Sequence, residues 1–299
     1  MASGTVAGNG TANGYRLVVA VGDPSYATQL VRTAVDLARA NDGTVTVVTV
    51  VDKPRGSPFS VFSDERIRRE FAGDRREILD RALSVADDSV PVDGQVVVGT
   101  DTARTLRSTA RELDADVLLV GWHGRSRRDG LVLGSTVDAL LRRAPCDVLV
   151  ERIGATADGV EHVLLPVAGG PHLPLAASVA ETIAAANDAT VRVLAVVAPD
   201  ATDDERETAR AHIEGALDHL DGVETEADLG ESDGIEDGVL DAVRASDLVV
   251  FGATRHGRVR RRLVGSIPQM VGRRSDRTVI IARRKLGSSI VDRLTARLR

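Results

Sequence analysis

Short runs of Val, Leu and Ile alternate along this chain with longer segments whose apolar residues recur every three or four positions. Residues 17–21 form the first such run, as a strand buried on both faces requires, and Leu30, Ala34, Leu37 and Ala38 follow at helical spacing. Asn41-Asp42-Gly43 reads as the stop of that helix. A second strand is predicted over 45–51, then one polar helix over 63–86 carrying Ile67, Phe71, Ile78 and Leu79. Further strands over 95–98, 117–120 and 147–150 alternate with helices over 102–113 and 135–143. The order then returns, with strands near 162–167, 190–197, 223–228, 247–251 and 277–282.

The return is a repeat at the level of residues. The segment from Arg16 aligns without a gap on the segment from His162, an offset of 146, so that Ala40-Asn41-Asp42 falls on Ala186-Asn187-Asp188. Later, Asp116, Gly121, Gly134 and Ser135 fall on Asp247, Gly252, Gly265 and Ser266, an offset of 131. The first copy therefore holds 15 extra residues, placed at the Pro/Gly/Ser-rich stretch "DKPRGSPFSVFSDERI". Two copies predict two domains, 15–153 and 161–285, with a linker at 154–160, a disordered tail at 1–14 and a basic tail at 286–299. Strictly alternating strands and helices predict an α/β class: two doubly wound, five-stranded parallel sheets in tandem, with right-handed crossovers. Ligands of such sheets bind beyond the carboxyl ends of the strands, where the strand order reverses.

Composition narrows this frame. Hydrophobic residues make up 43% of the 299 and aromatics only 2%, so the cores must be built from Val, Leu, Ala and Ile. The net charge of −6 argues against a general nucleic-acid binder, although from Arg258 onward twelve Arg and Lys285 face only Asp276 and Asp292. Cys146 is the only cysteine, which excludes an internal disulfide and a thiolate metal cage, and the six histidines lack the spacing of a zinc helix. No apolar run reaches bilayer length and no signal peptide is visible, so a cytoplasmic location is expected.

The chemistry concentrates in "VGWHGRSRRDGLVLGSTVDAL", which follows the fourth strand. Gly121, Gly124, Gly134 and Ser135 meet the spacing G-x2-G-x9-G-S. Glycines let a backbone turn tightly and approach a ligand, and Gly134-Ser135-Thr136 opens a helix whose unpaired N–H groups attract an anion. Ser135 and Thr136 add hydroxyl donors; Arg125, Arg127 and Arg128 add positive charge. The plainer alternative is a surface turn in which Ser135 caps the helix, worth about 1 kcal/mol. No Gly-Lys-Ser/Thr occurs, so this is not a Walker loop.

At these residues the sequence resembles the universal stress protein family, over about 15–153 and 160–285; "RRAPCDVLVER" is a second mark. The resemblance implies an adenine-nucleotide α-hydrolase-like fold in each half, and antiparallel pairing of the two last strands. In the ATP-binding branch it implies adenosine near the ends of the first two strands, here Asp23 and Val48 or Val50. The phosphates, possible Mg²⁺ included, would lie on Gly121, Gly124, Arg125, Gly134, Ser135 and Thr136. Two departures stand out. ATP-binding members carry an Asp at the end of the first strand, where this chain has Gly22, with Asp23 one residue late. In the second copy Arg255 replaces the second signature glycine, so ATP is expected in the first domain alone.

The sole tryptophan, Trp122, lies inside the loop and is read either as a base-stacking residue or as one that packs on its neighbours. His123 and His256 are expected at the surface, Cys146 in the core, and Asp116 and Asp247 as turn or cap residues before a strand. Ile290, Leu294 and Leu298 mark a short basic amphipathic helix, expected to dock on the protein or fray. With no acid–base or metal constellation visible, the expected function is an ATP-binding stress-response module with at most slow hydrolysis. The alternative is a nucleotide-free interaction module. Since similar pairs of domains are fused to amino-acid permeases, a membrane transporter is one partner compatible with the sequence, and a homo-oligomer is another.

Overall fold

The computed structural model describes residues 14–53, 62–70, 73–84, 89–123, 133–154, 159–253 and 266–285. The first half runs β1 (Arg16–Ala20), α1 (Ala27–Arg39), β2 (Thr44–Asp52), α2 (Asp64–Glu70), α3 (Gly73–Leu83), β3 (Val92–Gly99), α4 (Thr102–Glu112), β4 (Val117–His123), α5 (Ser135–Arg143) and β5 (Asp147–Ile153). The second runs β6 (His162–Pro166), α6 (Leu173–Asn187), β7 (Thr190–Val197), α7 (Asp203–Leu217), β8 (Thr225–Glu231), α8 (Ile235–Arg244), β9 (Leu248–Gly252), α9 (Ser266–Arg274) and β10 (Thr278–Arg283). The single polar helix expected over 63–86 is two helices, α2 and α3. Apart from Gly14, the expected tails lie outside the described residues, as do most of the linker and Gly124, Arg125, Arg255 and His256.

All ten strands join one sheet in the order β3-β2-β1-β4-β5-β10-β9-β6-β7-β8. Every neighbouring pair is parallel except β5 with β10, which run antiparallel with Val150 opposite Ile281. The expected α/β class with parallel sheets is therefore what the chain adopts. The order reverses between β1 and β4, because β1 sends its chain outward to β2 and β3 before the strand returns on its other side.

One core lies on each face of the sheet and runs through both halves. Leu30, Val31 and Ala34 of α1, Ile78 of α3, Ala176 and Ala180 of α6 and Ile213 of α7 share the first. Leu106 of α4, Leu140 and Leu141 of α5, Leu240 of α8 and Val271 of α9 share the second, with Cys146 and Trp122. Burying one such Val or Leu stabilises the fold by roughly 1.5–3 kcal/mol, which explains how a chain with few aromatics still has firm cores.

Local chemistry sets the element ends. Asp42 and Asp188 take left-handed backbone conformations (φ 49° and 55°) at equivalent helix stops. Gly43 is needed for another reason: a Cβ there would lie 2.4 Å from the Tyr15 carbonyl. Asp116 and Asp247 are clamps before the central strands. Asp116 accepts from the Arg16 N–H at 2.9 Å, and Asp247 accepts from the Glu161 and His162 N–H groups at 3.0 and 3.1 Å.

A polar cluster is buried at the seam between the halves. Glu151 of β5 is 1% exposed; its Oε1 accepts from Gln29 Nε2 at 2.7 Å. The same Nε2 donates to the Arg152 carbonyl at 2.8 Å, and Gln29 Oε1 accepts from the Gly154 N–H at 3.1 Å. Burial pushes the Glu151 carboxyl up to about 7, opposed by hydrogen bonds from Gln29 and Thr33.

Candidate functional site

A cleft of about 280 Å³ opens at the carboxyl ends of β1, β2 and β4, where the strand order reverses. That is close to the lower bound, about 300 Å³, of small-molecule sites. Its floor is apolar: Val48 and Val50 of β2, Val120 of β4, Leu106 of α4 and Leu140 of α5. Polar groups ring it: Thr102 at the start of α4, Thr136 at the start of α5, Asp52 at the end of β2, and Arg75 reaching in from α3. Arg75 Nη1 donates to the Gly22 carbonyl at 2.6 Å, across the mouth.

The α5 end of the cleft suits an anion. Gly134 is the N-cap, with φ 81° and ψ 156°, a left-handed conformation that favours glycine, and no side chain caps the helix. The first N–H groups of α5 thus have no intrahelical partner and none from the N-cap residue, and the helix dipole places partial positive charge there. Ser135 is the exposed first helical residue and not the cap. Thr136 faces the cleft.

Gly121 and Val48 line the cleft as the sequence suggests, but the absent side chain of Gly121 points away from it. A Cβ there would lie 3.0 Å from Ile153 Cγ2 and 3.3 Å from Leu30 Cδ1, so this glycine makes room for α1 and β5. Asp23 does not line the cleft. It caps the 3-10 turn Pro24–Tyr26, accepting from the Ser25 N–H at 2.9 Å and from the Ser25 hydroxyl at 2.5 Å. These bonds hold its carboxyl below the ordinary range.

Trp122 takes the packing role. It is 2% exposed and its ring lies on Gly272 of α9 in the other half, where a Cβ would come 2.1 Å from Cη2. His123 meets Tyr26 edge to face, ring centroids 4.9 Å apart. Asp52 and Arg75 were not legible as site residues in the same way. Asp52 carries a signal in hindsight, since it shares the face of β2 with Val48 and Val50 by the two-residue period of a strand; Arg75 carries none, because it crosses over the sheet end from the opposite face.

The second half differs at the equivalent place. Gly169 and Gly170 follow β6 with φ 70° and 102°, and a Cβ at Gly169 would lie 2.5 Å from His212 Nε2. Arg206, the counterpart of Arg75 at the offset of 131, is held by Glu231 and by the Pro199 carbonyl. Among the described residues a groove of about 350 Å³ lies between β7, β8 and α8, lined by Arg192, Asp228 and Asp241. Among the described residues no cluster of three or more His, Cys, Asp or Glu is placed to hold a metal, and no helix is long and apolar enough to cross a membrane.

Comparison with known proteins agrees with this geometry. Residues 15–152 match the model of the universal stress protein family. A protein of Staphylococcus epidermidis named as a universal stress protein is 30% identical over 138 residues, covering 46% of this chain and 82% of that one. A solved universal stress protein from Archaeoglobus fulgidus shares the fold at TM-score 0.65 and 14% identity, over 90% of this chain and 98% of that one. The cytoplasmic domain of a prokaryotic cation chloride cotransporter shares it at TM-score 0.57 and 12% identity, over 91% and 96%. Fold, cleft and sequence kinship converge on one conclusion: this chain belongs to the universal stress protein family.

Proposed function

We propose that this is a tandem universal stress protein, with domains at 15–153 and 161–285, in which the first half binds ATP and the second half binds none. The observation that carries the reading is the cleft itself, apolar at the β2 end and opening on the uncapped start of α5. The adenine would lie against Val48 and Val50. The triphosphate would lie against Thr136, Ser135 and the α5 N–H groups, with Gly134 providing the turn and Gly124 and Arg125 belonging to the same loop. When bound, ATP supplies negative charge at the helix start and an aromatic plane on the valines. Thr102, Thr136, Asp52 and Arg75 bind and orient; among the described residues no side chain lining the cleft forms the nucleophile–base pair that efficient hydrolysis needs, and the reading is of a nucleotide-responsive regulator.

Two features favour a second reading, a nucleotide-free interaction module of the kind found beside transporters. Asp23 is committed to its own turn, and Gly22 leaves the end of β1 without an acid. Mass detection of the nucleotide released from freshly purified, denatured protein separates the two. One equivalent of ATP per chain, lost in Gly124→Arg, which copies the second half, is the expected result. No nucleotide, together with no calorimetric heat on adding ATP and Mg²⁺, overturns ATP binding in favour of the second reading.

A further inference from the structure

Among the described residues, Asp52 and Arg75 are the two acidic or basic side chains of the cleft lining, and they arrive from opposite faces of the sheet. Asp52 projects from the end of β2 on the face of Val48 and Val50, which belongs to the second core. Arg75 comes from α3, whose Ile78 and Leu79 lie in the first core, and its guanidinium is fixed over the sheet end by the Gly22 carbonyl at 2.6 Å. Among the described residues no ion pair joins the two. A cleft thus presents a carboxylate and a guanidinium at one rim, kept apart and both able to bond a ligand.

That arrangement selects its ligand by chemistry. A phosphate at this rim would be repelled by Asp52, and an ammonium by Arg75. A neutral group that donates to the carboxylate and accepts from the guanidinium satisfies both, and a vicinal diol does so with two adjacent hydroxyls. Asp52 follows Val48 and Val50 on one face of β2, and Arg75 is held at the end of β1 by Gly22, so both border the valine floor to which a base, with its sugar attached, would bring the diol. Resting on the nucleotide reading above, we propose that Asp52 and Arg75 recognise the ribose 2′,3′-diol and make the first half selective for ribonucleotides over deoxyribonucleotides. The second half lacks the pair. At the offset of 146 the counterpart of Asp52 is Ala198, and Arg206 is held by Glu231.

The test is calorimetric titration of the full chain with ATP, 2′-deoxyATP and 3′-deoxyATP, for the parent, Asp52→Asn and Arg75→Gln. Asp52 is an exposed rim residue and Arg75 only half-buried, so both variants are expected to keep the parent's melting temperature. The parent is expected to prefer ATP over either deoxynucleotide by about tenfold, the scale of one charge-assisted hydrogen bond. Asp52→Asn is expected to weaken ATP by about tenfold and to erase the preference against the deoxynucleotide that lacks the hydroxyl donating to it, and Arg75→Gln to do the same for the other deoxynucleotide. A parent that binds ATP and the deoxynucleotides equally, or variants that each still discriminate against both deoxynucleotides, overturns the diol assignment and leaves nucleotide binding intact. A parent that binds none of the three removes the nucleotide reading and the diol assignment with it.

Discussion

Glu151 offers a direct test of how the seam is held. Its carboxyl is buried on β5 under α1, raised from 4.5 to about 7 by burial against the hydrogen bonds of Gln29 and Thr33. A carboxyl raised in the folded state binds its proton more tightly there than in the unfolded chain. Its contribution to stability is fully present below pH 4.5 and is lost as the pH rises through 7. The interval of about 2.5 units at 1.36 kcal/mol each gives a loss of about 3 kcal/mol. Glu151→Gln copies the protonated form and cannot ionise. Urea unfolding of parent and variant at intervals from pH 5 to 8 cancels every other titrating group in the difference. The variant should gain about 2.5 kcal/mol on the parent across that range, most of it before about pH 7. A difference that stays level across the range would mean that Glu151 is charged in its pocket, and the account of the seam would be wrong.

Gly272→Ala should place a methyl against the Trp122 ring. The overpacking cost of about 1–3 kcal/mol exceeds the roughly 1 kcal/mol that Ala gains over Gly in a helix. Net destabilisation with a red-shifted Trp122 emission is expected, and stabilisation would show that the contact is loose. Asp247→Ala frees two backbone N–H groups and Asp116→Ala frees one, so the first should cost more, about 1–3 kcal/mol in urea unfolding. The reverse order would refute the clamp assignment. A Cβ at Gly22 meets nothing within 4 Å, so Gly22→Asp should fold as the parent does and strengthen ATP binding on the order of tenfold by calorimetry; unchanged affinity would show that the end of β1 is not in contact with the ligand.

The periodic segments were legible because burial on both faces leaves unbroken Val/Leu runs, as in 17–21 and 117–120. The single helix expected over 63–86 was not, because its sparse apolar positions, Ile67, Ile78 and Leu79, fit one helix or two equally well. Within the site, Gly134 and Thr136 lie where a strand–loop–helix pattern places them. Asp23 reads as a ligand residue only if the chain runs on straight; instead Pro24 and Ser25 fold it into a turn that its own carboxylate caps. Gly121 shows that a glycine's position is easier to read than its reason, since the neighbour that needs the space belongs to α1 and β5. Trp122 could not be placed from sequence, because Gly272 lies 150 residues away and only the antiparallel meeting of β5 and β10 brings them together.

A symmetrical dimer must use one surface twice, so every bulge has to fit its own image. Two halves joined in one chain are released from that requirement, and at the seam described above they differ. At the offset of 131, the counterpart of Trp122 is Ala253 and the counterpart of Gly272 is Leu141, and both lie in the same core. Large faces small where Trp122 lies on Gly272, and the counterparts reverse the sizes, with small Ala253 in the place of Trp122 and large Leu141 in the place of Gly272. Two first halves joined through β5 would set Trp122 against Leu141, with no room for the ring. Two second halves joined through β10 would set Ala253 against Gly272 and leave a hole. Pairing unlike halves avoids both, so the fit of Trp122 on Gly272, as well as the peptide that tethers the halves, favours the pairing seen.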